Sequence, residues 1–449
     1  MNIKDVKAAL LGARHLRIVL FLLLLLVTTV SAGFLTSSDK TGDDLSMIVI
    51  SDVHVMAPSL LKQDGKAFAA YVANDRKMLK ESPLLMEEVT EEIIRRHPQY
   101  LLVTGDLTKD GETVSHRYLC DNYLSRIRQA GIRVFVIPGN HDVDNPHAVE
   151  FLGDETRRVP TPKADEFAQI YHDYGYGEAI SRDEHSLSYV VQLAENTRMI
   201  CIDACEYEEN DYEKDICVTA GRLKDETIEY IRSQAEEAES KGMRLIAMMH
   251  HGIVQHWTWQ EKAMGEYLVE DWSKRAPLFA KLGIEVVFTG HFHAQDIAKK
   301  GSLYDIETGS TISYPSPYRI VTFTGNKLTV HTEHLTGRGI ALPAGETLGD
   351  YSRRFAASGI STLLSGILPE ETPATLRDSI CSLLGEAYTA HLGGDEAMPE
   401  EKGAEIKATG SRLKKYSSWK LAYIFNHITK YLWTDLGPQD NDIEIELDN

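Results

Sequence analysis

Val134-Phe135-Val136-Ile137-Pro138 runs directly into Gly139-Asn140-His141-Asp142. A short, unbroken apolar run reads as a buried strand, and this one stops in a tight turn carrying an amide, an imidazole and a carboxylate. In α/β sheets the carboxyl ends of strands are where ligand chemistry is mounted. Taken alone, an Asn-His-Asp turn can equally be a hydrogen-bonded loop. What separates the two readings is whether other strands finish the same way.

They do. Met47-Ile48-Val49-Ile50 stops at Ser51-Asp52-Val53-His54, and Tyr100-Leu101-Leu102-Val103 stops at Thr104-Gly105-Asp106. Leu245-Ile246-Ala247-Met248-Met249 ends in His250-His251-Gly252, and Val286-Val287-Phe288 in Thr289-Gly290-His291-Phe292-His293. Between the first strands lie helical patterns. Ser82-Pro83 supplies a cap and a first-turn proline, and Leu85, Val89 and Ile93 then fall on one face. Segments 119–127 and 223–240 are patterned likewise. A β-α-β-α-β order predicts a largely parallel sheet with helices on its face. Strand signals also cover 187–193 and 198–202, followed by an acidic insertion over 206–215. The alternating stretches 303–307, 318–324 and 327–334 predict a second, antiparallel sheet packed on the first. Past residue 340 helical signals replace strand signals, and the best helix, 419–433, stripes Leu421, Ile424, Phe425, Ile428 and Leu432 on one side. The expected organisation is therefore a main domain over 45–335, a small helical domain over 340–435 and an acidic tail over 436–449.

Composition bounds the function. Of 449 residues, 43% are hydrophobic and 25% charged, which is ordinary for a folded chain of more than one domain. The formal net charge of −20 disfavours a nucleic-acid polymer as partner, since no positive field displaces its counterions. A small phosphorylated substrate stays compatible where metal ions supply local positive charge. Five cysteines without CxxC spacing support neither a thiolate zinc site nor a disulfide framework, although Cys205 and Cys217 flank the acidic insertion and could pair across it. Near the start, Lys4, Lys7, Arg14 and Arg17 precede an apolar run over 18–30 and the small residues Ser31-Ala32-Gly33. Residues 1–32 read as a secretory signal peptide or an N-terminal membrane anchor. The expected location is extracytoplasmic, either secreted or attached to the outer face of the membrane.

Strand ends bearing Asp52 and His54, Asp106, Asn140 and His141, His250 and His251, and His291 and His293 do not gather by accident in one α/β chain. Imidazole, carboxylate and amide oxygen without thiolate suit manganese, iron or zinc. The candidates are too many for one tetrahedral ion and fit two adjacent ones, with a carboxylate as the natural bridge. Two such ions stabilise the attacking and leaving oxygens of a phosphoryl displacement.

In order, Asp52-x-His54, Gly105-Asp106, Gly139-Asn140-His141-Asp142, His250 and Gly290-His291-x-His293 resemble the calcineurin-like metallophosphoesterase family over residues 47–334. The resemblance implies an α/β fold, a four-layer α/β/β/α sandwich of two mixed sheets. It implies one metal on Asp52, His54 and His293, a second on Asn140, His250 and His291, and Asp106 as bridge. His141 would stay outside the ligand set and protonate the leaving oxygen, oriented by Asp142. Family members commonly follow the ligand histidine with a second histidine and a proline. Here the run is His250-His251-Gly252, so the proline is missing; His250 is assigned and His251 is the alternative.

The helical tail and Tyr314-Pro315-Ser316-Pro317-Tyr318-Arg319 look similar to secreted bacterial members of the cyclic-nucleotide phosphodiesterase branch. The implied activity is hydrolysis of a phosphodiester, including a cyclic nucleotide, by attack of a metal-bound hydroxide. A phosphomonoesterase or nucleotidase, and a lipid pyrophosphatase of the envelope, are the alternatives. A surface binding protein with structural metals is the non-enzymatic one. In the side chains around the site, Arg319 could contact phosphate or close a strand edge, and Trp257 and Trp259 could stack on a base or pack in a core.

Overall fold

The computed structural model describes residues 43–73 and 75–448. The segment read as a signal peptide or anchor lies outside them. Among the described residues no helix is long and apolar enough to cross a membrane.

Two mixed sheets form the centre of the molecule. The first has six strands in the order Asp442–Glu446, Lys327–His334, Pro317–Thr324, Leu45–Ile50, Tyr100–Val103, Arg133–Val136. Its last three strands pair in parallel, and the first three add antiparallel at the other edge. The second has seven strands, ordered Asp296–Lys300, Leu303–Glu307, Ile284–Thr289, Arg244–Met249, Thr197–Ile202, Tyr189–Gln192, Ser181–Arg182. Its inner four are parallel.

Strand periodicity decides what each face buries. In the second sheet Ile246, Met248, Val286 and Phe288 point into a core shared with Ile48, Leu101 and Phe135 of the first sheet. Leu245, Ala247, Met249 and Val287 point the other way, onto Ile228, Ile231 and Ala235 of the Asp225–Ser240 helix and Phe279 of Trp272–Lys281. Leu85, Val89 and Ile93 of the Ser82–Arg96 helix pack with the first sheet. Helices therefore flank two face-to-face sheets, the expected four layers. Each such Leu, Ile, Val or Phe contributes roughly 1.5–3 kcal/mol on burial.

Two expectations need correction. Pro317–Thr324 and Lys327–His334 do not build a second sheet: they extend the first, hydrogen-bonded to Leu45–Ile50, while Leu303–Glu307 joins the other. Alternating polarity shows that a strand has one buried face, but not which sheet it joins. The region expected as an acidic tail contributes the edge strand Asp442–Glu446, paired with Lys327–His334. Here Ile443 and Ile445 turn inward between exposed acids, which makes an edge that self-repels further pairing. A further small sheet joins Leu61–Gln63, Val149–Leu152 and Glu155–Arg158.

The helices Leu348–Ile367, Ala374–Gly393, Glu400–Leu413 and Trp419–Tyr431 make up the C-terminal helical region. Their cluster, with Leu376, Ile380, Leu383 and Phe425, also contains Trp257, Phe292 and Ala294. Phe292 lies between His291 and His293, so the helical region packs directly on that loop.

Candidate metal centre

The strand ends converge through unusual backbone. Asp52 (φ 49°), His54 (φ 34°), Asp106 (φ 49°), His291 (φ 78°) and His293 (φ 70°) all have left-handed φ values. Non-glycine residues rarely adopt that region, and clusters of such strain mark functional sites held by their surroundings. Two glycines make the convergence possible. A Cβ at Gly139 would collide with the backbone and carboxylate of Asp106, and one at Gly290 with Ser51 and the Asp52 carboxylate.

Two groups of ligand-capable atoms result: Asp52, His54, Asp106 and His293, and Asp106, His250 and His291. Asp106 belongs to both. Its Oδ2 lies 3.4 Å from His54 Nε2 and 3.4 Å from His250 Nε2. His293 Nε2 is 3.3 Å from Asp52 Oδ1 and 3.3 Å from His54 Nε2. The rings of His250 and His291 are 4.6 Å apart.

Hydrogen bonds aim these groups. His54 Nδ1 meets the Thr108 carbonyl at 3.3 Å, and His250 Nδ1 meets that of Thr104 at 2.8 Å. Each ring so held donates from Nδ1 and turns a lone pair inward at Nε2. Asp52 Oδ2 accepts from the Ser51 hydroxyl and from His291 N at 3.0 Å, while Asp106 Oδ1 accepts from His141 N at 2.9 Å.

The donor set fits a pair of cations. Asp52 Oδ1, Asn140 Oδ1 and His250 Nε2 are buried without a hydrogen-bond partner. Inward lone pairs beside two carboxylates repel one another unless positive charge lies among them. Asn140, 4% exposed, offers a neutral amide oxygen.

Electrostatics agree at His54 and His291. Burial, then the Lys77 ammonium, holds His54 well below its usual range. Burial, then His251 and His250, does the same to His291. Neutral imidazole is the form that ligates a metal. Burial alone would raise Asp106, yet His250, His141 and His54 carry it well below the usual carboxylate range. His250, opposed by burial, is raised to about 9 by Asp106. His251 goes the other way, lowered to about 3 by burial and by His250. Its Nε2 is engaged by the Thr219 carbonyl at 3.0 Å. Of the two neighbours, His250 is the one facing Asp106.

His141 lies beside these groups, its Nε2 3.9 Å from Asp106 Oδ2 and its side chain 24% exposed. Its orientation corrects the expectation for Asp142, whose carboxylate does not touch the ring. Asp142 Oδ2 accepts from Leu107 N and Gly139 N, and Oδ1 from Thr108 N and Oγ1. A side chain folded back onto its own turn in this way is used up in shaping it. The ring is held instead by Asp110, whose Oδ1 accepts from His141 Nδ1 at 2.9 Å. Asp110 in turn is fixed by Tyr71 Oη at 2.6 Å and by the buried Lys109 ammonium. It lies four residues after Asp106, and that spacing was its only signal in the sequence.

Sequence reasoning also missed two cations. Lys77 is buried, its Nζ 3.5 Å from Asp75, and its charge lowers both His54 and His141. Arg76 lies with its guanidinium 5.7 Å from the Tyr388 ring, on the helical region. Tyr267 completes this wall, 4.6 Å from the His291 ring.

Other polar and aromatic side chains take structural positions. His116 is buried, bonded to Tyr171 Oη at 2.8 Å and the Asp142 carbonyl at 2.9 Å. Trp257 is fully buried in the helical core. Arg319 is fully buried and donates to the Glu307, Asp296 and Asp440 carbonyls and to Thr332 Oγ1, so it closes the strand edge. Cys205 and Cys217 are free thiols, donating to the Pro138 and Asn140 carbonyls at 3.5 Å each.

A family model described as calcineurin-like phosphoesterase matches residues 45–295. Among solved structures, a dimetal phosphatase from Danio rerio is similar at 12% identity, over 64% of this chain and 95% of its own, with a TM-score of 0.46. GAP50, the anchor in the inner membrane complex of Plasmodium, is similar at 10% identity, over 65% of this chain and 84% of its own, with a TM-score of 0.35. No curated relative matches.

Proposed function

The chain belongs to the calcineurin-like phosphoesterase family, a metal-dependent hydrolase of phosphoric ester bonds, and from that premise we propose that its substrate is a small phosphodiester. The observation that carries this is His141, held by Asp110 next to the ligand groups but outside both of them. A phosphate ester releases an alkoxide, a poor leaving group that benefits from a positioned acid, and the second substituent of a diester would lie on the aromatic wall of Tyr267 and Tyr388.

Asp52, His54 and His293 would hold one ion, Asn140, His250 and His291 the other, with Asp106 shared. Manganese, iron and zinc suit these donors. When bound, the pair supplies Lewis-acid polarisation of a phosphoryl oxygen and the acidity that makes water a nucleophile near neutral pH. The protein's own part is positioning and proton transfer. Lys77 and Arg76 orient the phosphoryl group by charge. His141 keeps a proton on Nε2 for the departing oxygen, because its Nδ1 proton is committed to Asp110. Tyr267 and Tyr388 offer an aromatic wall for the ester substituent, including a nucleoside base.

The reading extends to organisation and place. Residues 45–335 form the catalytic domain, residues 340–435 a helical domain that shapes the site's rim, and residues 1–32 direct the enzyme across a membrane. Cell fractionation that finds the chain in the cytoplasm would contradict the last point.

The test of the substrate compares two chromogenic esters on the full chain loaded with manganese. The proposal expects faster turnover of bis(p-nitrophenyl) phosphate than of p-nitrophenyl phosphate, and loss of both on chelation. Preference for the monoester would favour a nucleotidase instead.

A further inference from the structure

A second knot of buried histidine and carboxylate lies behind the loop that carries His291 and His293. The Ala374–Gly393 helix ends there with His391, turns at Gly394 (φ 72°), and continues into Glu396. The end of that helix is pressed against the start of the Asp296–Lys300 strand. Gln295 N donates to the Leu392 carbonyl at 3.1 Å, and Gly394 has no room for a Cβ against the Gln295 carbonyl.

Three side chains meet across this junction. His391 Nδ1 is 2.9 Å from Glu396 Oε1 and 3.8 Å from Asp296 Oδ2, and all three side chains are at most 3% exposed. One ligand atom from each lies within 4.8 Å of the others. Asp296 Oδ2, Glu396 Oε2 and His391 Nε2 are buried without any hydrogen-bond partner.

The surroundings are short of positive charge. Asp305, Glu307 and Asp440 are buried alongside Asp296 and Glu396. Against these carboxylates stand His256, bonded to Asp296 Oδ1 at 2.7 Å, and Arg319, whose guanidinium is engaged by backbone carbonyls and Thr332. Burial, then Asp296, pushes the Asp440 carboxyl up to about 9. Burial, relieved in part by His256, also pushes Glu307 up.

A hydrogen bond from His391 to Glu396 does not close this account. It satisfies Nδ1 and one oxygen, and leaves Asp296 Oδ2 facing Glu396 across the same ring. The ring itself is packed edge-on against Trp257 and Phe292. Buried carboxylates that share a site need either protons or a cation.

We propose that Asp296, His391 and Glu396 form a further metal site, taking a divalent first-row cation such as zinc or manganese, which clamps the helical region to the loop bearing His291 and His293. One imidazole and two carboxylates are a donor set for such an ion, and ligands drawn from a strand, a helix and a loop suit a structural role. The ion does not take part in the hydrolysis, so the site stands or falls apart from the identity of the ester.

The experiment is metal analysis by inductively coupled plasma mass spectrometry on the full chain, dialysed against metal-free buffer. Glu396→Gln, which keeps the side-chain volume, should bind one fewer ion per chain than the unaltered protein. Asp106→Asn, by contrast, should retain the junction ion while losing ions from the strand-end centre. Equal ion counts for Glu396→Gln and the unaltered chain would overturn the proposal. Should Glu396→Gln fail to fold, anomalous diffraction from crystals of the unaltered chain decides the matter. A peak among the three side chains supports the site, and its absence at full strand-end occupancy refutes it.

Discussion

The strand-end centre and the helical junction are two clusters of buried histidine and carboxylate, separated along the chain by only Ala294 and Gln295 between His293 and Asp296. They are built by different means. At the strand ends each candidate ligand follows an apolar strand, and Asp52, His54, Asp106, His291 and His293 are held on left-handed backbone, so the sheet sets their direction. At the junction His391 comes from a helix end, Glu396 from the loop after it and Asp296 from a strand start. The first arrangement leaves an open flank occupied by His141, as a reacting centre requires. The second is closed by Trp257 and Phe292, as a structural tie requires.

That contrast can be broken or sharpened by substitution. The largest effect is expected at Asp106, the group shared by both ligand sets. Asp106→Asn should lower kcat by roughly three orders of magnitude or more, the several kcal/mol that metal charge stabilisation supplies, together with a fall in bound metal. Next comes His141→Ala, which should cost about 10²- to 10⁴-fold in kcat, the usual contribution of a general acid.

Asp110→Asn should cost less, about 10- to 100-fold, as loss of a partner that orients an imidazole generally does. It also moves the pH profile. Burial and Lys77 lower His141, but Asp106 and Asp110 more than offset them, so the ring stays protonated above its usual 6.5. Activity that needs this proton falls as pH rises through the folded value. Removing the Asp110 charge lowers that value, so the alkaline limb of the kcat profile should shift to lower pH.

The smallest catalytic effect is expected at Asp142, whose carboxylate shapes the turn. Asp142→Asn should destabilise the fold by about 1–3 kcal/mol, the cost of leaving buried donors unpaired, while the alkaline limb stays in place. Thermal unfolding and a pH profile of the same variant check both parts. A shifted limb would return the orienting role to Asp142.

Much of this was legible in the sequence because strands announce themselves. Tyr100–Val103 and Leu303–Glu307 lie where their patterns predicted, and each ligand-bearing turn follows an apolar run. Sheet membership was not legible. Pro317–Thr324 alternates whether it pairs with Leu45–Ile50 or with another sheet, and only the tertiary fold chooses. The Asp142 assignment failed for a related reason. The family resemblance implied Asp142 as the partner of His141, but the turn consumed that carboxylate and brought Asp110 across instead. Lys77 and Arg76 follow the short Lys66–Ala73 helix, which has no strong pattern, and nothing local marks them as facing the site. The junction was invisible for the same reason, since His391 and Asp296 meet only after the helix has docked.

The central claim is that strand-end side chains hold two ions while His141 stands apart as the acid. Its most direct test is the ion count of Asn140→Ala and His141→Ala, measured side by side on the full chain. The account predicts that Asn140→Ala loses bound metal and that His141→Ala keeps the complement of the unaltered protein. Equal counts from the two variants, or a loss confined to His141→Ala, would contradict it.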